Sequence, residues 1–153
     1  MGSNTQPIVK GFYDAKTGSI QYVVSCPKSK AAAIIDPVWD FDEKSARTCT
    51  TNAEEILQYV HDSNLKIVWI LDTHPHADHF SAAPYLKSKL NAPTAIGEHV
   101  VKVQKLWQKI YNLKSDFPTN GSQWDRLFKD GDTFKIGELE ASVIFSPGHT
   151  LAS

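Results

Sequence analysis

The stretch Thr73-His74-Pro75-His76-Ala77-Asp78-His79 constrains this chain more than any other, because it packs three of the six histidines into seven residues. It follows an unbroken apolar run, Ile67-Val68-Trp69-Ile70-Leu71, closed by Asp72. Such a run predicts a strand buried on both faces. The histidines then occupy the loop at the carboxyl end of a central strand, where layered α/β folds place their chemistry. In extended backbone His74 and His76 point the same way, so one cation can take both imidazoles. Asp78 and His79 follow where the chain turns, and can orient that cation or serve a second one. Imidazole suits zinc and iron, and the carboxylate adds a hard oxygen. A lone histidine reads as a solvated loop residue; this spacing directly after a buried strand reads as a metal site.

The flanking sequence supplies the scaffold. Ile8 to Asp14 and Ile20 to Cys26 predict two strands around the turn Lys16-Thr17-Gly18, with Ile20, Tyr22, Val24 and Cys26 on the core side. Ala31-Ala32-Ala33-Ile34-Ile35 predicts a third, ended by Asp36-Pro37, and short connections make the three an antiparallel meander. Val38 to Thr50 reads as irregular and polar. Thr51-Asn52-Ala53-Glu54 fits a capping box before an amphipathic helix carrying Ala53, Ile56, Leu57 and Val60, with Asn64 as its stop. After the histidine loop, Ser81 is the expected cap of a helix with Pro84 in its first turn and Ala83, Leu86 and Leu90 inward. A strand from Pro93 to Ile96 ends at Gly97. A helix over Glu98 to Leu113 follows, with Val100, Val103, Trp107 and Ile110 on one face and Trp107 expected in the core. Beyond a loop to Asp125, the turn Asp130-Gly131 introduces a hairpin of Thr133 to Ile136 and Leu139 to Phe145.

At 153 residues the chain reads as one domain, 41% apolar and 22% charged, which is globular composition. A net charge of -1 offers no field for nucleic acid or an anionic membrane. No apolar run reaches the length of a membrane span. Met1 to Gln6 carries neither a signal core nor a myristoylation pattern. Cys26 and Cys49 lack metal-ligand spacing and read as reduced thiols of a cytoplasmic protein.

A second motif completes the site. Ser146-Pro147-Gly148-His149-Thr150 follows the last strand, and its turn residues bring His149 out just past a strand end, as the third imidazole beside His74 and His76. His61, near the end of a helix, reads as structural; His99, at the start of one beside Glu98, reads as a helix-terminal residue, with a place in the cleft lining as the alternative.

The order strand, T-H-P-H-A-D-H, helix, strand, P-G-H-T resembles the metallo-β-lactamase superfamily, whose α/β fold is a layered αββα sandwich with metal at one edge of its sheets. Ile34-Ile35-Asp36-Pro37-Val38, the acidic stretch to Thr48, and His76-Ala77-Asp78-His79 look most like the branch of glyoxalase II and the persulfide dioxygenases, including bacterial members labelled β-lactamase-like hydrolases. The resemblance implies one such domain over 1–153, its N-terminal half only. A metal-binding Asp and, in dinuclear members, a further His are expected after the P-G-H-T loop.

Two activities follow from that resemblance. In a persulfide dioxygenase, His74 and His149 hold one Fe(II) with a carboxylate, while His76, Asp78 and His79 orient the ligands, and glutathione persulfide is oxidised to sulfite. In a zinc thioester hydrolase of the glyoxalase II kind, His74, His76 and His149 hold the first of one or two Zn(II), and Asp78 and His79 begin the second site. An inactive metal-binding fragment is the third possibility. Either enzyme takes a small thiol substrate, glutathione persulfide or a glutathione thioester. Asp36 is expected close to the histidine loop without ligating metal. Uncovered apolar strands predict self-association into a homo-oligomer.

Overall fold

The computed structural model describes residues 6–153. The reading of Met1 to Thr5 therefore lies outside the described residues. Three strands open the chain, β1 (Ile8–Tyr13), β2 (Ile20–Ser25) and β3 (Ala31–Ile35). They pair antiparallel in sequence order, as the short turns require. Next come β4 (Val38–Asp42), β5 (Arg47–Cys49), α1 (Thr51–Asp62), β6 (Lys66–Leu71), β7 (Phe80–Ser81) and α2 (Ala83–Leu90). The chain closes with β8 (Thr94–Gly97), α3 (Val100–Ile110), β9 (Arg126–Phe128), β10 (Thr133–Ile136) and β11 (Leu139–Ser142).

The main sheet has six strands in the order β1-β2-β3-β6-β8-β9. From β3 to β9 all neighbours run parallel. Their carboxyl ends therefore share one edge, and Asp36, the histidine loop and the entry to α3 all leave from it. One face is covered by α1 and α2, whose Ala53, Ile56, Val60, Ala83 and Leu86 join Val23, Ala32, Ile34, Ile67 and Ile70 in one buried core. Ile67 and Ile70 share that face although three residues apart, because the register with β3 slips by one between Ala32 and Ala33. On the other face, the β10–β11 hairpin brings Phe134 against Trp69 and Phe128. The turn of that hairpin sits on Ser29, and a Cβ at Gly137 (φ 62°) would lie 1.9 Å from the Ser29 hydroxyl.

Several expectations change. In β2 the buried residues are Gln21, Val23 and Ser25, while Ile20 and Tyr22 are exposed; only Cys26, beyond the strand, is buried as expected. Gln21 wins the interior because both ends of its amide are paired: Oε1 accepts from Val38 N–H at 2.7 Å and Nε2 donates to Asn52 at 3.0 Å. Val38 to Thr50 is not irregular, since β4 and β5 pair with each other and β4 also pairs with β7. The capping box does not form: Thr50 precedes α1 without a side-chain bond, and Asp40 accepts the Asn52 N–H instead. Ser81 lies in β7, and Ala82 stands at the cap position of α2. The third helix is shorter than Glu98 to Leu113, β11 stops at Ser142, and β9 was not expected. β6 is central, yet only Ile67 and Ile70 are fully buried. Cys26 and Cys49 are free thiols, the first buried and the second exposed. Among the described residues no helix is long and apolar enough to cross a membrane.

Candidate metal centre

The loop after β6 is tied down before it reaches the histidines. Asp36, at φ 51° beyond β3, accepts the Thr73 N–H and the Thr73 hydroxyl at 2.7 Å each, and meets His76 Nε2 at 3.0 Å. Burial works to raise the Asp36 carboxyl, but the bonds from His76 and Thr73 together hold it below the usual carboxylate range. Burial likewise works to lower His76, and the Asp36 hydrogen bond and charge carry it above the usual histidine range. Asp72 is anchored from below, accepting from the Ser81 hydroxyl and the Trp124 indole N–H at 2.8 Å each. Burial leaves its carboxyl above the ordinary value despite those bonds.

The imidazoles gather above these anchors. Ring centres of His74 and His76 lie 4.1 Å apart, those of His76 and His79 4.2 Å, and those of His74 and His149 4.8 Å. Burial, with His76 and His149 nearby, pushes His74 below the ordinary histidine range, which keeps its imidazole neutral. Asp78 lies 3.2 Å from His79 Nδ1, and the Ser19 hydroxyl donates to Asp78 at 2.9 Å from 59 positions away. Burial opposes it, yet the Ser19 and His79 bonds bring the Asp78 carboxyl down to about 2.

These residues line one cleft of about 650 Å³, which takes in Asp36, His74, His76, Asp78, His79 and His149. His74 and His149 do come together, although the strand before His149 ends at Ser142 and not just before the turn, and Asp36 lies beside the histidine loop as expected. His61 is exposed and pairs with Asp62, and the His99 ring lies tilted against Phe145 with centres 4.2 Å apart, away from this cleft. Sequence reasoning missed Ser19 and Trp124, which reach the loop from distant turns. It also misplaced Trp107, which is 39% exposed and lines the cleft beside Val103 and Leu106 instead of filling the core.

The donor set fits a divalent cation. Ligand atoms of His76, Asp78 and His79 all lie within 4.8 Å of one another, as do those of Asp36, Asp72 and His76. In the second group both carboxylates already hold protein hydrogen bonds. In the first, the His79 side chain is 1% exposed and its Nε2 has no hydrogen-bond partner among the described residues. A buried ring nitrogen left without a partner is costly unless something takes its lone pair or its proton.

The fold agrees with the comparisons. The family model of the metallo-beta-lactamase superfamily matches residues 18–153, and the chain belongs to that superfamily. It is 64% identical over 147 residues to a beta-lactamase hydrolase-like protein of Xylella fastidiosa, covering 96% of this chain and 34% of that one. It is 43% identical over 145 residues to Glyoxylase B2 of Dictyostelium discoideum, covering 94% and 50%. Identity to the mitochondrial persulfide dioxygenase ETHE1 of Bos taurus is 24% over 149 residues, covering 97% and 47%. The crystal structure of ETHE1 from Myxococcus xanthus superposes with a TM-score of 0.69 at 23% identity, covering 95% of this chain and 51% of that one. The chain thus spans about a third to a half of the length of these relatives, and its mixed α/β fold is the corresponding part of the metallo-β-lactamase fold.

Proposed function

We propose that this chain carries the metal-binding half of a persulfide dioxygenase, which oxidises the persulfide of a small thiol to sulfite with dioxygen at a single Fe(II). Glutathione persulfide is the substrate that the family resemblance implies. The observation that supports this reading is the meeting of His74, in the loop after β6, and His149, in the segment beyond β11, at 4.8 Å between ring centres at the cleft. A persulfide dioxygenase among the relatives of this chain supports it further.

His74 and His149 would hold the iron. When bound, Fe(II) supplies open positions at which sulfur and dioxygen meet, whereas zinc supplies a Lewis acid and an acidified water. The remaining work falls to this chain's own side chains. Asp36 fixes the His76 ring by its hydrogen bond to Nε2, which leaves Nδ1 for the cleft. Asp78, with its carboxyl near 2, stays ionised and is too weak a base to take a proton at neutral pH. Its part is to hold His79 through the contact with Nδ1. Ser19 fixes both residues through one hydroxyl, 2.9 Å from Asp78 and 3.3 Å from His79 Nδ1.

The zinc thioester hydrolase is the second reading, and the compact group of His76, Asp78 and His79 favours it by offering a cradle for another cation. There His74, His76 and His149 would hold the first zinc. The unpaired thiols Cys26 and Cys49 suit a cytoplasmic setting for either enzyme. Oxygen uptake and sulfite release from glutathione persulfide, measured beside thioester cleavage on iron- and zinc-loaded protein, separates the two. Thioester cleavage without oxygen uptake would overturn the dioxygenase. Metal binding with neither activity would mark this chain as an inactive metal-binding fragment.

A further inference from the structure

We infer that Trp124 is a positioning residue of the metal centre: its indole N–H holds Asp72 away from His76, and Gln104 of α3 fixes the turn that aims the indole. This rests on the metal site proposed above but not on which metal fills it.

Asp72 is buried, at 6% exposure, two residues before His74. One of its carboxyl oxygens accepts the Ser81 hydroxyl, and the other accepts the Trp124 indole N–H from 52 positions away, at 2.8 Å each. A buried oxygen that loses its donor turns to whatever donor is in reach. His76 is in reach, because ligand atoms of Asp36, Asp72 and His76 lie within 4.8 Å of one another. Yet His76 Nε2 already meets Asp36 at 3.0 Å. Without the indole, Asp72 competes with Asp36 for that ring, and the orientation that leaves Nδ1 to the cleft is no longer fixed.

The turn that carries Trp124 is clamped from both sides. Gln104 is 8% exposed, and both ends of its amide are paired: Oε1 accepts the Gly121 N–H at 2.9 Å, and Nε2 donates to Gln123 Oε1 at 2.8 Å. Gly121 stands at φ 75°, and its carbonyl accepts the Trp124 N–H at 3.1 Å. A Cβ at Gly121 would lie 2.6 Å from Leu127 Cδ1, so both its conformation and its surroundings call for glycine. Beyond Trp124, the Asp125 carboxyl takes the Thr94 N–H at 2.8 Å and Lys87 Nζ at 2.6 Å. Trp124 and Gln104 also line a cavity of about 500 Å³ together with Pro75, His76 and Ala77. A support held this firmly is what keeps a metal-binding side chain in one geometry.

The test compares Trp124→Phe, Gln104→Leu, Asp72→Ala and the double variant Trp124→Phe with Asp72→Ala. Cobalt(II) titrations are read by absorption, and the His76 ring nitrogen resonances are read on the metal-free chain at constant pH. Trp124→Phe, which keeps a ring and removes the donor, should weaken cobalt binding about tenfold and shift the His76 resonances. Gln104→Leu should move both readouts the same way and by less. On the Asp72→Ala background, Trp124→Phe should cost nothing further, because the competing carboxyl is gone. Ile56→Val, on the core face of α1, should lower the melting temperature and leave both readouts unchanged. Unmoved His76 resonances in Trp124→Phe, a second loss of like size in the double variant, or an equal loss of cobalt affinity in Ile56→Val would overturn the inference. If Trp124→Phe does not fold, Gln104→Leu decides by the same two readouts. A wild type that takes up no cobalt while Trp124→Phe still shifts the His76 resonances would count against the metal reading alone.

Discussion

Replacing Asp36 by asparagine removes one charge from the base of the site and little else. Asn is the right probe because Asp36 sits at φ 51°, a left-handed conformation that Asn tolerates and Ala does not. The wild-type carboxylate takes part in three hydrogen bonds, two with Thr73 and one with His76. A bond to a charged group is worth about 1.5–3 kcal/mol and a neutral one about 0.5–1.5, so neutralising Asp36 weakens the three by about 3 kcal/mol together. The side chain is 17% exposed, so asparagine also escapes part of the cost of keeping a charge out of water. That leaves a net loss of about 1–2 kcal/mol. In a chain of this size it lowers the melting temperature by about 2–8 °C and leaves the protein folded at room temperature. Metal retention should suffer more visibly, because His76 loses the partner that fixes its ring; a tenfold to hundredfold fall is the usual scale, at about 10–100-fold. Zinc competition against a chromogenic chelator, beside thermal unfolding of the metal-free protein, measures both quantities. Unchanged zinc affinity would refute the positioning role of Asp36.

Ser19→Ala should let the Asp78 carboxyl rise from about 2 towards the ordinary aspartate range, as followed by its carboxyl resonance against pH; an unmoved titration would show that the Ser19 bond does not form in solution. Asp125 is held down to about 2, first by the Lys87 ammonium and then by the Thr94 N–H. Its native value lies below its unfolded one, so its stabilisation is complete above about pH 4 and is lost as pH falls towards 2. Asp125→Asn should therefore lower the melting temperature at neutral pH and shrink its fall over that acid window, and an equal fall in both proteins would contradict the assignment. The outer face of β1 and β2 leaves Val9, Tyr13 and Ile20 exposed at 56%, 67% and 48%, which is the kind of patch that drives self-association into a homo-oligomer. Sedimentation should show mass rising with concentration and Val9→Ser with Ile20→Ser suppressing the rise, whereas a monomer at all concentrations would refute it.

The centre of the fold was legible because its signals are local. An apolar pentapeptide running into Thr73-His74-Pro75-His76 announces a strand and its loop, and Ser146-Pro147-Gly148-His149 announces a turn, though the strand before it ends already at Ser142. What was not legible depends on partners far along the chain. Both faces of β2 carry apolar residues, and the choice between them was made by Gln21, whose partners Val38 and Asn52 no local pattern reveals. The short β4 forms because it pairs with β5 and because Val38 and Trp39 pair with Ser81 and Phe80, across two intervening strands and a helix. The periodicity of α3 identified an apolar face but could not say what covers it, so Trp107 read as core while it stands at the cleft. Ser19 carries no motif at all; it was found only once the β1–β2 turn was seen beside Asp78.

The metal content of protein purified without oxygen tests the central proposal most directly, read by elemental mass spectrometry on the wild type and on His74→Ala and His149→Ala. The account predicts about one iron per chain, lost in both variants, as suits a site with two imidazole ligands and open positions. Two zinc ions per chain, or iron retained without His74 and His149, would contradict it.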